Sequence, residues 1–168
     1  MSRSGYSDDC ENWDLIRWRG AVASAIRGAR GQKTLRDLLA ALDAMQDKRL
    51  VANELQTADG EFCTLGALGA ARGVPMADVD GEDREAIAAM FDIAPALAAE
   101  IMYENDDDGV GDWKWIDIEI CGPMRRYEIH SRSLSVIDER AAEKRWRRMR
   151  NWVASHISAP KTQGDGNG

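Results

Sequence analysis

The sequence predicts a mainly helical α+β fold, a compact helical domain with one or two small β-hairpins and a long C-terminal amphipathic helix. Apolar side chains recur at helical spacing in several segments and alternate with polar ones in only a few short stretches. The length of 168 residues suits one domain. We expect that domain to span 1–160, with 113–137 as a hairpin insertion and 161–168 as a disordered tail.

Two helices are predicted in the first quarter of the chain. Capping-box spacing at Asp8 predicts a helix that runs to about Arg27, where Gly28 and Gly31 would end it. Thr34 would cap a second helix, and the short link between the two predicts an antiparallel pair. The apolar face of the second helix consists of Leu35, Leu38, Leu39, Leu42 and Met45.

A small hairpin and a glycine-containing helix are predicted next. Asp59-Gly60 favours a tight turn between the segments 50–57 and 61–64. A short helix would then span 65–72 and end at Gly73. Because glycine destabilises a helix interior, Gly66 and Gly69 predict close packing against a neighbouring backbone.

Two further short helices and a change of period follow. Asp80 would cap a helix that ends at Phe91, and Pro95 would begin another that ends near Glu104. Alternating isoleucines then predict a strand over 116–120 that pairs with 125–129, so that Ile116 faces Ile129 and the isoleucines line a buried face.

The C-terminal helix is predicted to be long and amphipathic, with its cap at Ser135. Its apolar face would consist of Ala142, Trp146, Met149, Val153 and Ile157. Its outer face would carry Lys144, Arg145, Arg147, Arg148 and Arg150.

The net charge of −7 conceals a segregation along the chain. Residues 54–119 carry three Lys/Arg against 17 Asp/Glu, a net charge of −14, whereas 1–53 and 120–168 are net positive. Such self-repulsion destabilises a compact state unless the acids are solvated or meet cations. Two interpretations remain open: an acidic surface offset by the chain's own basic C-terminal segment, or a docking surface for a basic partner.

Nothing in the sequence indicates catalysis or a cofactor. The two histidines, His130 and His156, have no cysteine or serine in a triad setting, and the glycine-rich run at 66–73 matches no phosphate loop. The three cysteines are too far apart to indicate a disulfide framework or a zinc site, which fits a reducing cytosol. We therefore expect a non-enzymatic protein without cofactor. No membrane span or signal peptide is expected.

The segment 104–112 partly matches a calcium-binding loop. Its acidic positions are Glu104, Asp106, Asp108 and Asp112. The pattern requires Asp at the first position and a bidentate Glu at the twelfth, where this chain has Trp115. For 104–112 we therefore expect a solvated loop of acidic residues instead of a metal site.

Two candidate binding surfaces follow from the charges. The first is an acidic partner-binding surface made of Asp78, Asp80, Glu82, Asp83, Glu85, Glu104, Asp106, Asp107, Asp108 and Asp112. It would steer a basic partner or imitate the phosphates of a nucleic acid. The alternative is nucleic-acid binding through Arg145, Arg147, Arg148 and Arg150 of the C-terminal helix.

Several stretches resemble a group of small proteins encoded by tailed phages and prophages of proteobacteria. They are 5–10 (GYSDDC), 13–31 (WDLIRWRGAVASAIRGARG), 63–73 (CTLGALGAARG), 99–105 (AEIMYEN) and 149–153 (MRNWV). The resemblance implies a phage accessory protein of the bacterial cytosol and carries over no catalytic or binding residue. Together with the charge, it predicts an anti-CRISPR-like inhibitor that binds a host protein or ribonucleoprotein complex with a basic surface. The oligomeric state stays open.

Overall fold

A computed structural model describes residues 3–4, 12–76, 79–106, 113–119 and 131–159. This part of the chain is mainly helical with one two-stranded antiparallel sheet, which confirms the predicted fold class. Its elements are α1 (Asn12–Arg27), α2 (Ala29–Ala44), α3 (Thr64–Arg72), α4 (Arg84–Phe91), α5 (Pro95–Asp106), β1 (Trp113–Glu119), β2 (Ser131–Ile137) and α6 (Ala141–His156).

The first two helices are separated by Gly28 alone, so the predicted start of α2 at Thr34 is wrong. Thr34 is buried within α2 and caps nothing. Gly31 lies inside α2 because the two helices approach closely there: a Cβ atom on it would stand 1.9 Å from the carbonyl oxygen of Ala25. The predicted cap of α1 at Asp8 lies outside the described residues.

The predicted hairpin at 50–64 is reduced to a turn with one bridge, between Gln56 and Phe62. Gly60 adopts a φ of +82°, as the Asp-Gly pair predicts. Next to this turn, α3 begins one residue before its predicted start and ends at Gly73, whose φ of +66° confirms the predicted C-terminal cap.

Of the two glycines in α3, Gly66 confirms the predicted packing against a neighbouring backbone, whereas Gly69 packs against a side chain. A Cβ atom on Gly66 would lie 1.8 Å from the carbonyl oxygen of Leu55, and one on Gly69 would lie 2.5 Å from Sδ of Met76. The backbone around Leu55 therefore rests directly on α3, which leaves no room for a side chain at position 66.

The N-terminal cap of α4 is Asp83, three residues after the predicted cap at Asp80. The Asp83 carboxylate accepts from the backbone N–H groups of Glu85 and Ala86, at 3.1 and 2.9 Å. α5 begins at Pro95 as predicted and continues two residues beyond the expected end, to Asp106.

The hairpin of β1 and β2 has a different register from the predicted one. Ile116 faces Leu134 instead of Ile129, and Trp113 faces Ile137. The shift is an odd number of residues, which exchanges the two faces of the return strand. Ile116 is also exposed, so the expected buried face is wrong. Residues 120–130 lie outside the described part.

The long C-terminal helix is confirmed, although its predicted cap is wrong because Ser135 belongs to β2. Met149 and Val153 are fully buried, and Trp146 packs against the core. The core is shared by α2 to α6, and its largest fully buried side chains are Phe91, Leu35, Leu38, Leu42, Leu50, Leu65, Leu68, Ile87, Leu97, Ile101, Met102 and Met149.

Among the described residues, no single helix is long and apolar enough to cross a membrane. The pair α4 and α5 reaches that length and composition only when taken together, across a bend of 109°. The predicted tail at 161–168 lies outside the described residues.

Candidate functional site

Asp106 lies at the centre of a buried ion pair at the end of α5. Its Oδ2 accepts from Nε of Arg3 at 2.8 Å and its Oδ1 from Nη2 of Arg3 at 3.1 Å. The two side chains are only 4% and 2% exposed. Oδ1 also accepts from the backbone N–H of Asn53 at 3.0 Å. The expected position of Asp106 on a partner-binding surface is therefore wrong, because α5 extends far enough to turn this carboxylate inward.

Asn105, the preceding residue, connects three segments of the chain. Its Oδ1 accepts from the N–H and the hydroxyl of Thr64, at 3.1 and 2.7 Å. Its Nδ2 donates to the carbonyl oxygen of Val51 at 2.9 Å. The start of α3, the loop after α2 and the end of α5 are thus joined through one buried amide.

Arg145 belongs to the same network, so its expected place on the outer face of α6 is wrong. Only 2% of the residue is exposed. Its Nε donates to the carbonyl oxygen of Asn105 at 3.0 Å and its Nη1 to that of Leu50 at 2.9 Å. The sequence spacing indicates this burial, because Arg145 precedes Met149 by four residues and therefore lies on the same, buried face of α6.

The other three arginines proposed for nucleic-acid binding also contact the protein itself. Arg148 donates to the carbonyl oxygen of Asn105 at 3.3 Å. Arg147 pairs with Glu143 at 2.8 Å. Arg150 binds both carboxylate oxygens of Asp43, at 2.5 and 3.1 Å, and this pairing raises the pKa of Arg150. The acids that pair with Arg147 and Arg150 lie outside 54–119.

Four of the predicted acidic residues form an exposed group that we call the acidic turn: Asp80, Glu82, Asp83 and Glu85. No Lys or Arg of the described chain forms an ion pair with any of these four carboxylates. Arg84 lies among them, but its Nη1 donates to the carbonyl oxygen of Ser4 at 2.9 Å. The structure therefore brings this part of the predicted surface together, and the described residues supply no ion pair to it.

A groove of about 520 Å³ lies beside the acidic turn. It is lined by the loop 53–58 and by Met76, Val79, Gly81 and Glu82, so that its lining includes two carboxylic acids, Glu54 and Glu82. The polar residues Asn53, Gln56 and Thr57 also line it. Sequence reasoning missed Glu54, because only the fold places it next to the acidic turn.

The remaining predicted acidic residues do not join this surface within the described chain. Glu104 lies in α5, is half-buried and has an interaction partner. Asp78, Asp107, Asp108 and Asp112 lie outside the described residues. Among the residues that are described, no group of three or more His, Cys, Asp or Glu side chains could hold a metal ion.

Cys63 and His156, the cysteine and the histidine of the described residues, both make contacts within helices. Cys63 is buried, and its burial raises the pKa of the thiol. Its sulfur accepts from the N–H of Gly66 at 3.4 Å and so caps α3. His156 lies in the last turn of α6, where its Nδ1 is 2.8 Å from the carbonyl oxygen of Trp152. His130 lies outside the described residues.

Comparisons with protein-family models, with curated proteins and with solved structures find no match to this chain.

Proposed function

We propose that this chain is a non-catalytic binding protein that captures a basic partner through the acidic turn and the adjoining groove. Together with the sequence resemblance to proteins of tailed phages, this supports a more specific proposal. The protein would act as an anti-CRISPR-like inhibitor that occupies a basic surface of a host defence complex in the bacterial cytosol.

The observation that carries the proposal is the set of four exposed carboxylates without a counter-ion among the described residues. Clustered like charges raise the free energy of the free protein, and a cationic partner relieves that repulsion on binding. The same field accelerates association with a basic surface, and the effect decreases as salt increases.

The groove beside the acidic turn favours binding of a basic protein side chain over binding of a free cation. A lysine or arginine side chain that entered it would meet a lining that includes the acids Glu54 and Glu82 and the polar residues Gln56 and Thr57. A guanidinium group suits this lining, because it donates several hydrogen bonds in one plane. We therefore expect the partner to insert a basic side chain here.

Nucleic-acid binding by α6 is the weaker alternative, because the arginines proposed for it already contact groups of the protein itself. A phosphate would have to compete with Glu143 for Arg147 and with Asp43 for Arg150. A gel-shift assay at low salt tests this directly. A shift that disappears in the Arg147→Gln/Arg150→Gln variant would favour the alternative.

The main test removes three of the four charges of the acidic turn and keeps the cap of α4. Asp80→Asn, Glu82→Gln and Glu85→Gln remove three charges, and an asparagine at position 80 keeps the acceptor for the N–H of Glu82. Asp83 is left intact because it caps α4. The matched control removes three exposed charges elsewhere: Asp14→Asn, Asp47→Asn and Glu139→Gln.

Both variants and the unmodified protein are used to capture proteins from a bacterial lysate at low and high salt, with quantification by mass spectrometry. They are also expressed in cells that carry an active CRISPR system and are challenged with a targeted phage. We expect the acidic-turn variant to lose the captured partner and the protection of the phage, and the control to keep both. Equal capture by the two variants would contradict the proposed surface.

A further inference from the structure

The outer face of α1 carries exposed apolar side chains. Trp13 is 71% exposed and Ile16 is 57% exposed. They share one stripe with Arg17 and Gly20, on the side of the helix opposite the buried Val22. We call these four residues, Trp13, Ile16, Arg17 and Gly20, the α1 stripe.

Gly20 is not explained by packing within the described molecule. A glycine in a helix interior destabilises the helix relative to alanine, and Gly66 compensates through its close approach to a neighbouring backbone. A Cβ atom on Gly20 would meet nothing within 4 Å. The α1 stripe therefore has a shallow notch beside Ile16, where a group from outside could approach the helix backbone.

The hairpin of β1 and β2 presents a second uncovered apolar face. Trp113, Trp115 and Ile137 lie on the same side of the hairpin and are 61%, 74% and 63% exposed. Asp117 continues this face, and its carboxylate accepts from the hydroxyl of Ser133 at 2.6 Å. A two-stranded hairpin is marginally stable by itself and normally needs a packing partner.

We propose that the hairpin face docks onto the α1 stripe of a second copy of this chain, reciprocally, in a two-fold symmetric dimer. Two contacts related by a two-fold axis would close the assembly at two copies, whereas a head-to-tail arrangement of the same contact would continue into longer oligomers. The inference does not rest on the proposed function, since no residue of the acidic turn takes part.

Charge and spacing support this pairing. Arg17 is exposed and forms no ion pair with the described residues, and Asp117 offers a carboxylate of opposite sign. Trp115 and Asp117 are about 7 Å apart along the strand, and Gly20 and Arg17 are about 4.5 Å apart along the helix. With the indole of Trp115 over the notch at Gly20, the long side chain of Arg17 would span the difference between these two spacings and reach Asp117.

The first test measures the oligomeric state over a range of concentrations by analytical ultracentrifugation. We expect a dimer that weakens by about tenfold or more in Trp13→Ser and equally in Trp115→Ser. Arg36→Gln, at an exposed position of α2, is the control and should leave the dimer unchanged. Circular dichroism verifies that each variant is folded. A monomer at every concentration overturns the proposal, as does a dimer that depends on only one of the two tryptophans.

The second test exchanges the two charges. Arg17→Glu and Asp117→Arg should each weaken the dimer several-fold, because each places like charges opposite one another in both contacts. The variant with both substitutions restores opposite charges and should recover the affinity of the unmodified protein. Failure of the double variant to recover would overturn the proposed contact between the hairpin and α1.

Discussion

Asp106 illustrates at the scale of one residue why charge counted along a sequence does not locate a surface. It belongs to the most acidic segment of the chain, yet its side chain is 2% exposed and its two oxygens accept hydrogen bonds from Arg3 and from the backbone of Asn53. The cation that neutralises it comes from a residue 103 positions away. Composition could predict that such an acid needs a partner, but only the fold identifies that partner.

Replacement of Asp106 by asparagine should destabilise the protein by about 3 kcal/mol, because it leaves the buried Arg3 guanidinium without a counter-charge. Urea denaturation followed by circular dichroism measures the change. Asp80→Asn is the matched control, with an expected change of less than about 0.5 kcal/mol because the side chain is exposed. Equal effects of the two substitutions would contradict the buried pair.

At the scale of the elements, α3 shows how closely a helix can be fitted to a loop. Gly66→Ala should cost about 3 kcal/mol, because the carbonyl of Leu55 is backbone and cannot give way. Gly69→Ala should stay within about 1 kcal/mol of the unmodified protein, since Met76 can change its rotamer and alanine favours the helix. Thermal and urea unfolding of the pair test this ranking. Similar losses for both variants would contradict it.

Proline and glycine signals at helix ends were predictive, whereas capping patterns such as those at Asp80 and Ser135 and features that depend on distant contacts were not. Pro95 and Gly73 fix helix ends through their own backbone preferences, and both predictions are confirmed. The predicted start of α2 and the predicted register of the hairpin were wrong. Gly31 is a typical helix-ending residue in the sequence, but in the fold it lies inside α2, where α1 packs against it. The register was ambiguous because Ile116 has an equally apolar partner in several registers. The candidate site was predicted only in part, at the acidic turn.

For the molecule as a whole, three carboxylates that accept hydrogen bonds from Lys or Arg make stability depend on pH. Hydrogen bonds from Lys33, and to a smaller extent from Arg72, lower the pKa of Asp37 below its ordinary value of 3.8. Lys144 does the same for Asp138, and Arg140 lowers the pKa of Glu143 below 4.5. Each group binds protons less readily in the folded state than in the unfolded state.

Stability should therefore be complete above about pH 5 and should decline as the pH falls through the lowered pKa values of the folded carboxylates, because protons then favour the unfolded chain. Melting temperatures measured from neutral to acidic pH test this. The Asp37→Asn/Asp138→Asn/Glu143→Gln variant should show a shallower acid decline than the unmodified protein. An identical decline would show that other groups control the acid transition.

The polar network around Asn105 has a consequence for how the molecule unfolds. Its hydrogen bonds join residues 41, 54 and 103 positions apart, and Arg145 reaches Leu50 across 95 positions. Hydrogen bonds between such distant residues form only once the segments between them have folded, and we expect them to break together. We therefore expect Arg3, α3, α5 and α6 to unfold as one cooperative unit, in a single transition.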